Sequence, residues 1–263
     1  MSLLTVVISY YKATDNLFLI LQALNNQSCM DFEVIVSEDD NCTYSKEFIE
    51  NISKDLNFTI IHISQEIDNG FRKNEMLNKS ILKASADKLA FIDGDCVPNE
   101  YFVENYINEI DEKSLCVGRA VFLDEKTTET LKELKSISKL NFFNLLFTKT
   151  THLKDAIYFP LFPLSFKVKG LVGRNWGCHK KSLMAINGFD EDYVQAGVGE
   201  DVDVEWRLLK LGIERKSMKN KSVVYHLYHD RWYTSENEQH NYNLMEDKIL
   251  LNNYYCLNGI QKV

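Results

Sequence analysis

The stretch Leu89-Ala90-Phe91-Ile92-Asp93-Gly94-Asp95 decides the fold class of this chain. Four apolar residues followed by two acids indicate a buried β-strand that carries both carboxylates to its C-terminal end. In open α/β sheets, ligands bind in the crevice beyond the carboxyl ends of the strands. Two neighbouring carboxylates there repel each other unless a cation lies between them or one of them is protonated. A hard divalent cation that also binds a diphosphate would satisfy both acids.

The rest of the first half alternates strand-like and helix-like patterns, whereas the second half is less regular. In the first half, strands are predicted at residues 3–9, 32–37, 58–63 and 89–93, and helices at residues 15–26 and 72–85. In the second half, helices are predicted at residues 127–150, 200–211 and 238–255, strands at residues 172–178 and 222–228, and a loop at residues 157–163. Strands that alternate with helices predict an α/β fold with a mostly parallel sheet flanked by helices, and place the Asp93 strand near its centre.

Composition limits the kinds of protein that this chain can be. Its 263 residues fit one large α/β domain, with or without a small appendage. The formal net charge of -8 argues against nucleic-acid binding, because a protein that binds a phosphate backbone needs a basic face. The six cysteines show no C-x-x-C spacing, so we expect reduced thiols of a cytoplasmic protein and no zinc site. We expect neither a signal peptide nor a transmembrane helix, which needs about 18 or more apolar residues.

Two further polar clusters lie where strands end or helices begin. Glu38 and Asp39 follow the second predicted strand, and a carboxylate there can accept a hydrogen bond from uracil N3–H or a ribose hydroxyl. The alternative is a solvated turn, because Asp and Asn are common in turns. The segment Gly70-Phe71-Arg72-Lys73 opens a predicted helix, and its two basic residues at the positive end of that helix favour an anion. The alternative is a solvated first turn.

Acids and histidines mark the second half of the chain. Gly197 and Gly199 precede Glu200 and Asp201 at the start of a predicted helix, where negative charge is stabilised and backbone can approach a ligand closely. Helix capping explains one acid but not a run of acids after two glycines, so an acid here can serve as a general base. The pair His226 and His229 follows a predicted strand and is a candidate metal ligand set. In an extended segment these side chains point to opposite faces, so we expect one of them to bind.

Taken together, these residues resemble a family 2 glycosyltransferase with the GT-A fold, from residue 3 to about residue 231. The markers occur in the order of that family: the acidic strand end, the segment from Gly70 to Asn78, D-x-D, G-F-D, G-E-D and His. Asn78 lies fifteen residues before Asp93, which is similar to the R-N…D-x-D spacing of the family. Residues 197–207 also resemble the C-terminal motif of the β-1,4-galactosyltransferases and bacterial chondroitin polymerases.

The resemblance implies an inverting, metal-dependent transfer of Gal, GalNAc, GlcNAc or Glc from a UDP-sugar to a hydroxyl of a glycan or lipid-linked glycan, in bacterial surface polysaccharide synthesis. It implies a single domain over residues 1–263, with the nucleotide-sugar held by residues 1–120, and the acceptor and the base by residues 121–263. The residues implied to bind the nucleotide are Glu38, Asp39, Arg72, Asn78 and Asp93. Asp95, with His226 or His229, would bind Mn²⁺ or Mg²⁺. Asp201 would be the catalytic base, Glu200 would orient the acceptor, and Trp176 and Gly177 would border the sugar pocket.

One departure from the family pattern concerns the diphosphate. Leu77 stands where the family often has Arg, so the phosphate contact can fall to Arg72 or Lys73. Two other classes of function remain alternatives: a nucleotidyltransferase, for which the first loop, Ser9-Tyr10-Tyr11-Lys12-Ala13, lacks a glycine-rich and basic triphosphate signature, and a non-catalytic protein that binds a nucleotide-sugar.

The expected location is the cytoplasm, with contact at the inner face of the plasma membrane as an open question. The predicted helix at residues 127–150 carries lysines, and the loop at residues 157–162 is apolar. The alternative, favoured because the chain is acidic and an anionic leaflet would repel it, is that both segments belong to the core and to a lid over the acceptor.

Overall fold

The computed structural model describes residues 2–161, 168–197, 199–230 and 234–262. These residues form ten strands and nine helices. The strands are β1 (Leu4–Tyr10), β2 (Phe32–Glu38), β3 (Thr59–Ile63), β4 (Lys88–Asp93), β5 (Cys96–Pro98), β6 (Ser114–Val117), β7 (Arg119–Phe122), β8 (Asn175–His179), β9 (Glu214–Ser217) and β10 (Val223–His226). The helices are α1 (Thr14–Leu24), α2 (Thr43–Ile52), α3 (Lys73–Lys83), α4 (Phe102–Glu109), α5 (Glu125–Leu134), α6 (Phe142–Leu145), α7 (Lys180–Ala185), α8 (Glu200–Lys210) and α9 (Ser235–Leu250).

The main sheet has seven strands in the order β3-β2-β1-β4-β8-β6-β9. Strands β3, β2, β1 and β4 are parallel, as is the pair β6 and β9, whereas β8 runs antiparallel to both of its neighbours. The prediction of a mostly parallel sheet with the Asp93 strand near its centre is therefore confirmed. A second sheet has the order β5-β10-β7 and pairs β5 with β10 antiparallel.

Both faces of the main sheet are buried. Because strand side chains alternate between faces, each strand contributes to a core on either side. In β1, Val6 and Ile8 belong to one apolar core, which also receives Leu17 and Leu21 of α1 and Phe102 of α4. Val7, between them, points to a second apolar core on the opposite face, built with side chains of α3 and α8 that include Leu77, Ile81, Val204 and Leu208. The sheet is thus flanked by helices, as expected of an α/β fold.

The prediction of one helix at residues 127–150 is wrong, because the chain forms α5 and the short α6 instead. Helix α5 ends at Leu134, and Lys135 takes a left-handed conformation with φ of 46°. The residues that follow satisfy backbone groups with side chains, which competes with helix formation. Ser138 N–H donates to Ser136 Oγ at 3.3 Å, and Asn144 N–H donates to Asn141 Oδ1 at 3.0 Å at the start of α6.

Other element ends also differ from the prediction. The strand predicted at residues 172–178 starts only at Asn175, and β10 ends at His226 rather than at residue 228. The last helix is α9, which starts earlier than predicted because Thr234 and Asn237 form a capping box. In the loop predicted at residues 157–163, residues 157–161 form neither helix nor strand, and residues 162 and 163 lie outside the described residues. Within the described ranges, no helix has both the length and the apolar character needed to cross a bilayer.

Candidate active site

Three parallel strands end at the same edge of the main sheet and bring acids together there. Register pairs Ser9 of β1 with Asp93 of β4, and Tyr10 of β1 with Glu38 of β2. Gly94 turns the chain directly against β1, where an added Cβ would lie 2.7 Å from the carbonyl oxygen of Ser9. Only glycine fits this approach, so Asp93 and Asp95 project from a turn that the backbone of β1 holds in place.

Asp95 lies beside both histidines of the predicted pair. Its Oδ2 is 3.0 Å from Nε2 of His229 and 3.7 Å from Nε2 of His226. The expectation that the two rings face opposite directions is wrong, because β10 ends at His226 and the chain beyond it is no longer extended. The two ring centroids are 5.1 Å apart. Both imidazoles therefore reach the same carboxylate.

The two histidines keep the Asp95 carboxylate ionised. Burial raises the pKa of Asp95, but the hydrogen bond from His229 and the nearby His226 lower it to about 2. The hydrogen bond to Asp95 raises the pKa of His229, whereas burial lowers that of His226. One potential ligand atom each from Asp95, Cys96 and His226 lie within 4.8 Å of one another, but the Cys96 thiol donates to Asp95 Oδ1 at 3.2 Å. A carboxylate with two imidazoles fits a divalent ion such as Mn²⁺.

Lys73 connects the acids of the two halves of the site. Its Nζ lies 3.1 Å from Asp93 Oδ1 and 3.7 Å from Glu200 Oε1. Burial lowers the pKa of Lys73, but these carboxylates raise it more, so the ammonium group stays charged. The sequence contained a signal that Lys73 could take the place of the Arg that Leu77 replaces. Lys73 stands four residues before Leu77 on α3, and therefore on the same face of that helix.

Asp201 and Glu200 start α8 and have different surroundings. Asp201 Oδ2 accepts the N–H of Gly173 at 2.8 Å, and its Oδ1 accepts the N–H of Val202 at 2.8 Å. Burial raises the pKa of Asp201, and the bond from Gly173 opposes that rise. Glu200 Oε2 is buried and has no hydrogen-bond partner among the described residues, and burial raises the pKa of Glu200 to about 7. The backbone therefore fixes Asp201, whereas Glu200 is only partly satisfied.

Three of the residues assigned to the nucleotide lie together at the ends of β2 and α3. Asp39 Oδ1 accepts the N–H of Arg72 and the Nε2 of Gln65, each at 2.8 Å. Burial raises the pKa of Asp39, and the N–H of Arg72 opposes that rise. Glu38 is fully buried, with Oε2 at 2.7 Å from His62 Nε2 and no hydrogen-bond partner for Oε1 within the described parts of the chain. His62 and Gln65, which hold these acids, were missed because strand-end positions alone do not show which side chains face each other.

Asn78 does not reach this pocket, so the prediction that it binds the nucleotide is wrong. Its Nδ2 donates to the carbonyl of Phe189 at 2.9 Å, and its Oδ1 accepts the N–H of the same residue at 2.8 Å. The side chain is buried and both of its polar ends are occupied, so Asn78 ties α3 to the segment before α8 instead of lining the nucleotide pocket.

Trp176 and Gly177 do not border the pocket either. Trp176 stacks on Phe91 with ring centroids 4.3 Å apart and is only 2% exposed. Gly177 packs against the backbone of β4, where an added Cβ would lie 2.7 Å from the carbonyl oxygen of Leu89. The physical reason is that β8 is antiparallel to β4, so the end of β8 near Asp93 is its start, Asn175. Gly173 and Arg174, just before β8, are the residues that reach the site.

A mostly parallel α/β sheet, with D-x-D acids at its carboxyl edge and helix-borne acids facing them, is the architecture of a GT-A type glycosyltransferase. The chain belongs to glycosyl transferase family 2, whose model matches residues 5–169. A solved structure of GalNAc-T7 with UDP, GalNAc and Mn²⁺ shares this fold, with a TM-score of 0.63 and 14% identity over 94% of this chain and 48% of that one.

Two curated relatives are longer proteins. Chondroitin synthase from Escherichia coli is 26% identical in an alignment of 243 residues that covers 85% of this chain and 34% of that protein. Hyaluronan synthase from Pasteurella multocida is 25% identical in an alignment of 234 residues that covers 80% of this chain and 23% of that protein. The chain therefore spans about a third or less of the length of these two relatives.

Proposed function

We propose that this chain transfers a sugar from a UDP-sugar to a hydroxyl of a glycan acceptor, in a metal-dependent reaction that inverts the anomeric carbon. The observation that carries the proposal is the convergence of three charged groups around Gly173. A Cβ added there would lie 3.7 Å from Lys73 Nζ, 3.8 Å from Asp201 Oδ2 and 3.9 Å from Asp93 Oδ2. A candidate base thus lies next to candidate donor-binding groups, and the residue between them, Gly173, has no side chain.

On the donor side, residues 1–120 would hold the nucleotide. Asp39, or Glu38 through its unpaired Oε1, would accept from the uracil ring or a ribose hydroxyl, and Arg72 lies directly beside Asp39. Lys73 would neutralise the diphosphate, in place of the Arg that Leu77 replaces. Asp95, His226 and His229 would hold Mn²⁺ or Mg²⁺, which supplies Lewis-acid neutralisation of the departing diphosphate.

On the acceptor side, residues 121–263 would supply the base. Asp201 takes the proton of the acceptor hydroxyl while that oxygen attacks C1 of the sugar from the face opposite UDP. The C1–O bond to the diphosphate breaks, and UDP leaves with the electron pair. The two backbone N–H groups that hold Asp201 keep its carboxylate in one orientation. Glu200, next to it on α8, would orient the acceptor.

The first test is release of UDP from UDP-Gal, UDP-GalNAc, UDP-Glc and UDP-GlcNAc, with Mn²⁺ and with EDTA. We expect release from one donor with Mn²⁺ and none with EDTA, because the carboxylate and imidazoles at Asp95 suit a divalent cation. Asp95→Asn should remove the Mn²⁺-dependent release, whereas Asp247→Asn, an exposed acid on α9, should not.

A strict acceptor requirement would also prevent release, and calorimetric titration of UDP with Mn²⁺ separates this case. An enzyme that waits for its acceptor still binds UDP. Loss of both release and UDP binding would contradict the proposed function, and UDP binding without turnover under any donor and acceptor would favour a non-catalytic binding protein.

We also propose that the surface around α6 contacts a membrane that carries a lipid-linked acceptor. Phe143 is 75% exposed and Phe147 91% exposed, so these side chains are not part of the core. Residues 134–154 contain four lysines and no acid, although the chain as a whole is acidic. Exposed aromatic rings among basic residues suit the interface of an anionic bilayer.

Co-sedimentation with vesicles tests this contact. Binding to vesicles that contain phosphatidylglycerol should exceed binding to neutral phosphatidylcholine vesicles, because lysines attract anionic lipid. Replacing Phe143 and Phe147 by Ser should weaken it roughly tenfold or more, since burying one Phe side chain is worth about 1.5–3 kcal/mol. Tyr242→Ser, at an exposed aromatic residue of α9, is the matched control. Equal sedimentation of the double variant and the wild type would contradict the contact.

A further inference from the structure

A cavity lies beside the candidate active site, and the proposed transfer does not use it. Its volume is about 200 Å³, and its walls come from β7, the turn around His152, and the segment that leads into β8. Ligand pockets for whole small molecules typically measure about 300–1,000 Å³. This cavity therefore fits one group of a larger substrate rather than a complete one.

Arg174 connects this cavity to the reacting groups. It lines the cavity and directly follows Gly173, whose N–H donates to Asp201. Its guanidinium lies over the ring of Phe122, 5.0 Å from the centroid. The same ring lies 5.1 Å from the ring of His226, centroid to centroid. The ring of Phe122 thus separates Arg174 from the candidate metal ligand His226, and the residue before Arg174 contacts the candidate base Asp201.

The cavity wall is basic within an acidic protein. Arg119, Lys169 and Arg174 line it, and Asp155 is the one acid among its lining residues. The charge of Asp155 is partly offset from outside the cavity by Lys219, whose Nζ is 3.9 Å from Asp155 Oδ1. Lys169 and Arg174 form no ion pair with any residue in the described ranges. Two cations that have no counter-ion among the described residues therefore face a space that adjoins the base.

We propose that this cavity binds an anionic group of the acceptor, a carboxylate or a phosphate, and so selects acidic glycans. Arg binds both groups through paired N–H donors, and Lys adds a point charge. The inference rests on the proposed function, because it names the class of acceptor for the same site. An acidic acceptor also explains why a protein with a net charge of -8 gathers three cations around this cavity.

Binding of three matched glycosides tests the inference without requiring turnover. The probes are p-nitrophenyl β-glucoside, p-nitrophenyl β-glucuronide and p-nitrophenyl β-glucoside 6-phosphate, which differ only at C6. Their dissociation constants are measured by ligand-observed NMR on the full chain with UDP and Mg²⁺, which is diamagnetic and does not broaden the signals of the anionic probes. We expect at least one anionic glycoside to bind about tenfold more tightly than the neutral one, as charge-assisted hydrogen bonds allow. The tighter of the two anionic probes distinguishes a carboxylate from a phosphate.

Two variants and a control connect that preference to the cavity. Arg174→Gln and Lys169→Gln should each reduce the anionic preference several-fold, whereas Lys210→Gln, at an exposed lysine of α8, should not. Calorimetry of UDP with Mn²⁺ checks that each variant keeps its donor site. Equal binding of the three glycosides, no binding of any of them, or a preference that survives both substitutions would overturn the inference. UDP release is measured separately from glycoside binding. UDP release without a preference for anionic glycosides would overturn the subsite alone, and a preference for anionic glycosides without UDP release under any donor and acceptor would overturn the proposed transfer alone.

Discussion

Asp201→Asn is expected to lower turnover by roughly 10²–10⁴-fold, the usual contribution of a general base, while UDP binding persists. Asn has nearly the same shape as Asp, and its amide oxygen can still accept the N–H of Gly173 that now binds Asp201 Oδ2. The amide cannot take the proton of the acceptor hydroxyl. The loss should therefore appear in the rate of transfer and not in the calorimetric affinity for UDP with Mn²⁺.

Glu200→Gln is the matched control for that variant. If Glu200 orients the acceptor, its replacement should raise KM for the acceptor more than it lowers kcat. The opposite result would exchange the two roles: a near-normal Asp201→Asn together with an inactive Glu200→Gln would identify Glu200 as the base. Burial raises the pKa of Glu200 to about 7, so the rate with Glu200 as base would rise with pH through that region. A kcat/KM that stays flat through that region would therefore argue against Glu200 as the base.

Arg207→Met is expected to lower the free energy of unfolding by about 3–5 kcal/mol, because it leaves a buried carboxylate without its partner. Arg207 donates to Asp203 Oδ2 from Nε at 2.8 Å and from Nη2 at 2.6 Å. Its Nη1 also donates to the carbonyls of Ile186 and Gly188 at 3.0 and 2.7 Å. Both charged side chains are almost completely buried. The variant would therefore loosen α8 from the segment that precedes it.

Urea denaturation measures this effect through a lower midpoint at an unchanged slope. The double variant Arg207→Met, Asp203→Leu removes both charges, and it should regain part of the lost stability because no unpaired carboxylate remains. A single variant within about 1 kcal/mol of the wild type would show that the pair contributes little, as an exposed ion pair does.

Local patterns predicted the features that depend on local physics. The apolar run before Asp93 gave the central strand, and alternation of strands with helices gave a mostly parallel sheet. Asp93 was predicted at the end of a strand and Asp201 at the start of a helix, and the structure has them there, with both carboxylates near Gly173. Each of these predictions needs only the direction of a strand or a helix, which short-range sequence determines.

Long-range pairing explains what could not be predicted. Whether Trp176 reaches the pocket depends on β8 running antiparallel to β4, and nothing within that segment shows its direction. The meeting of both histidines with Asp95 depends on where β10 ends. Lys73 was recognised only as an alternative, because its partners Asp93 and Glu200 are brought to it by two different elements. The helix predicted at residues 127–150 failed for a local reason, the side-chain bonds of Ser136 and Asn141.

The pairing of β5 with β10 joins His226 to Cys96, next to Asp95, across 130 residues of sequence. Closing so long a loop carries an entropic cost before the contacts that reward it can form. Contacts of high sequence separation also tend to slow folding. We therefore expect the imidazoles to meet the D-x-D turn late in folding, after the β1–β4 sheet. A cation that binds only the assembled site would then stabilise the native protein by mass action and slow the detachment of β10.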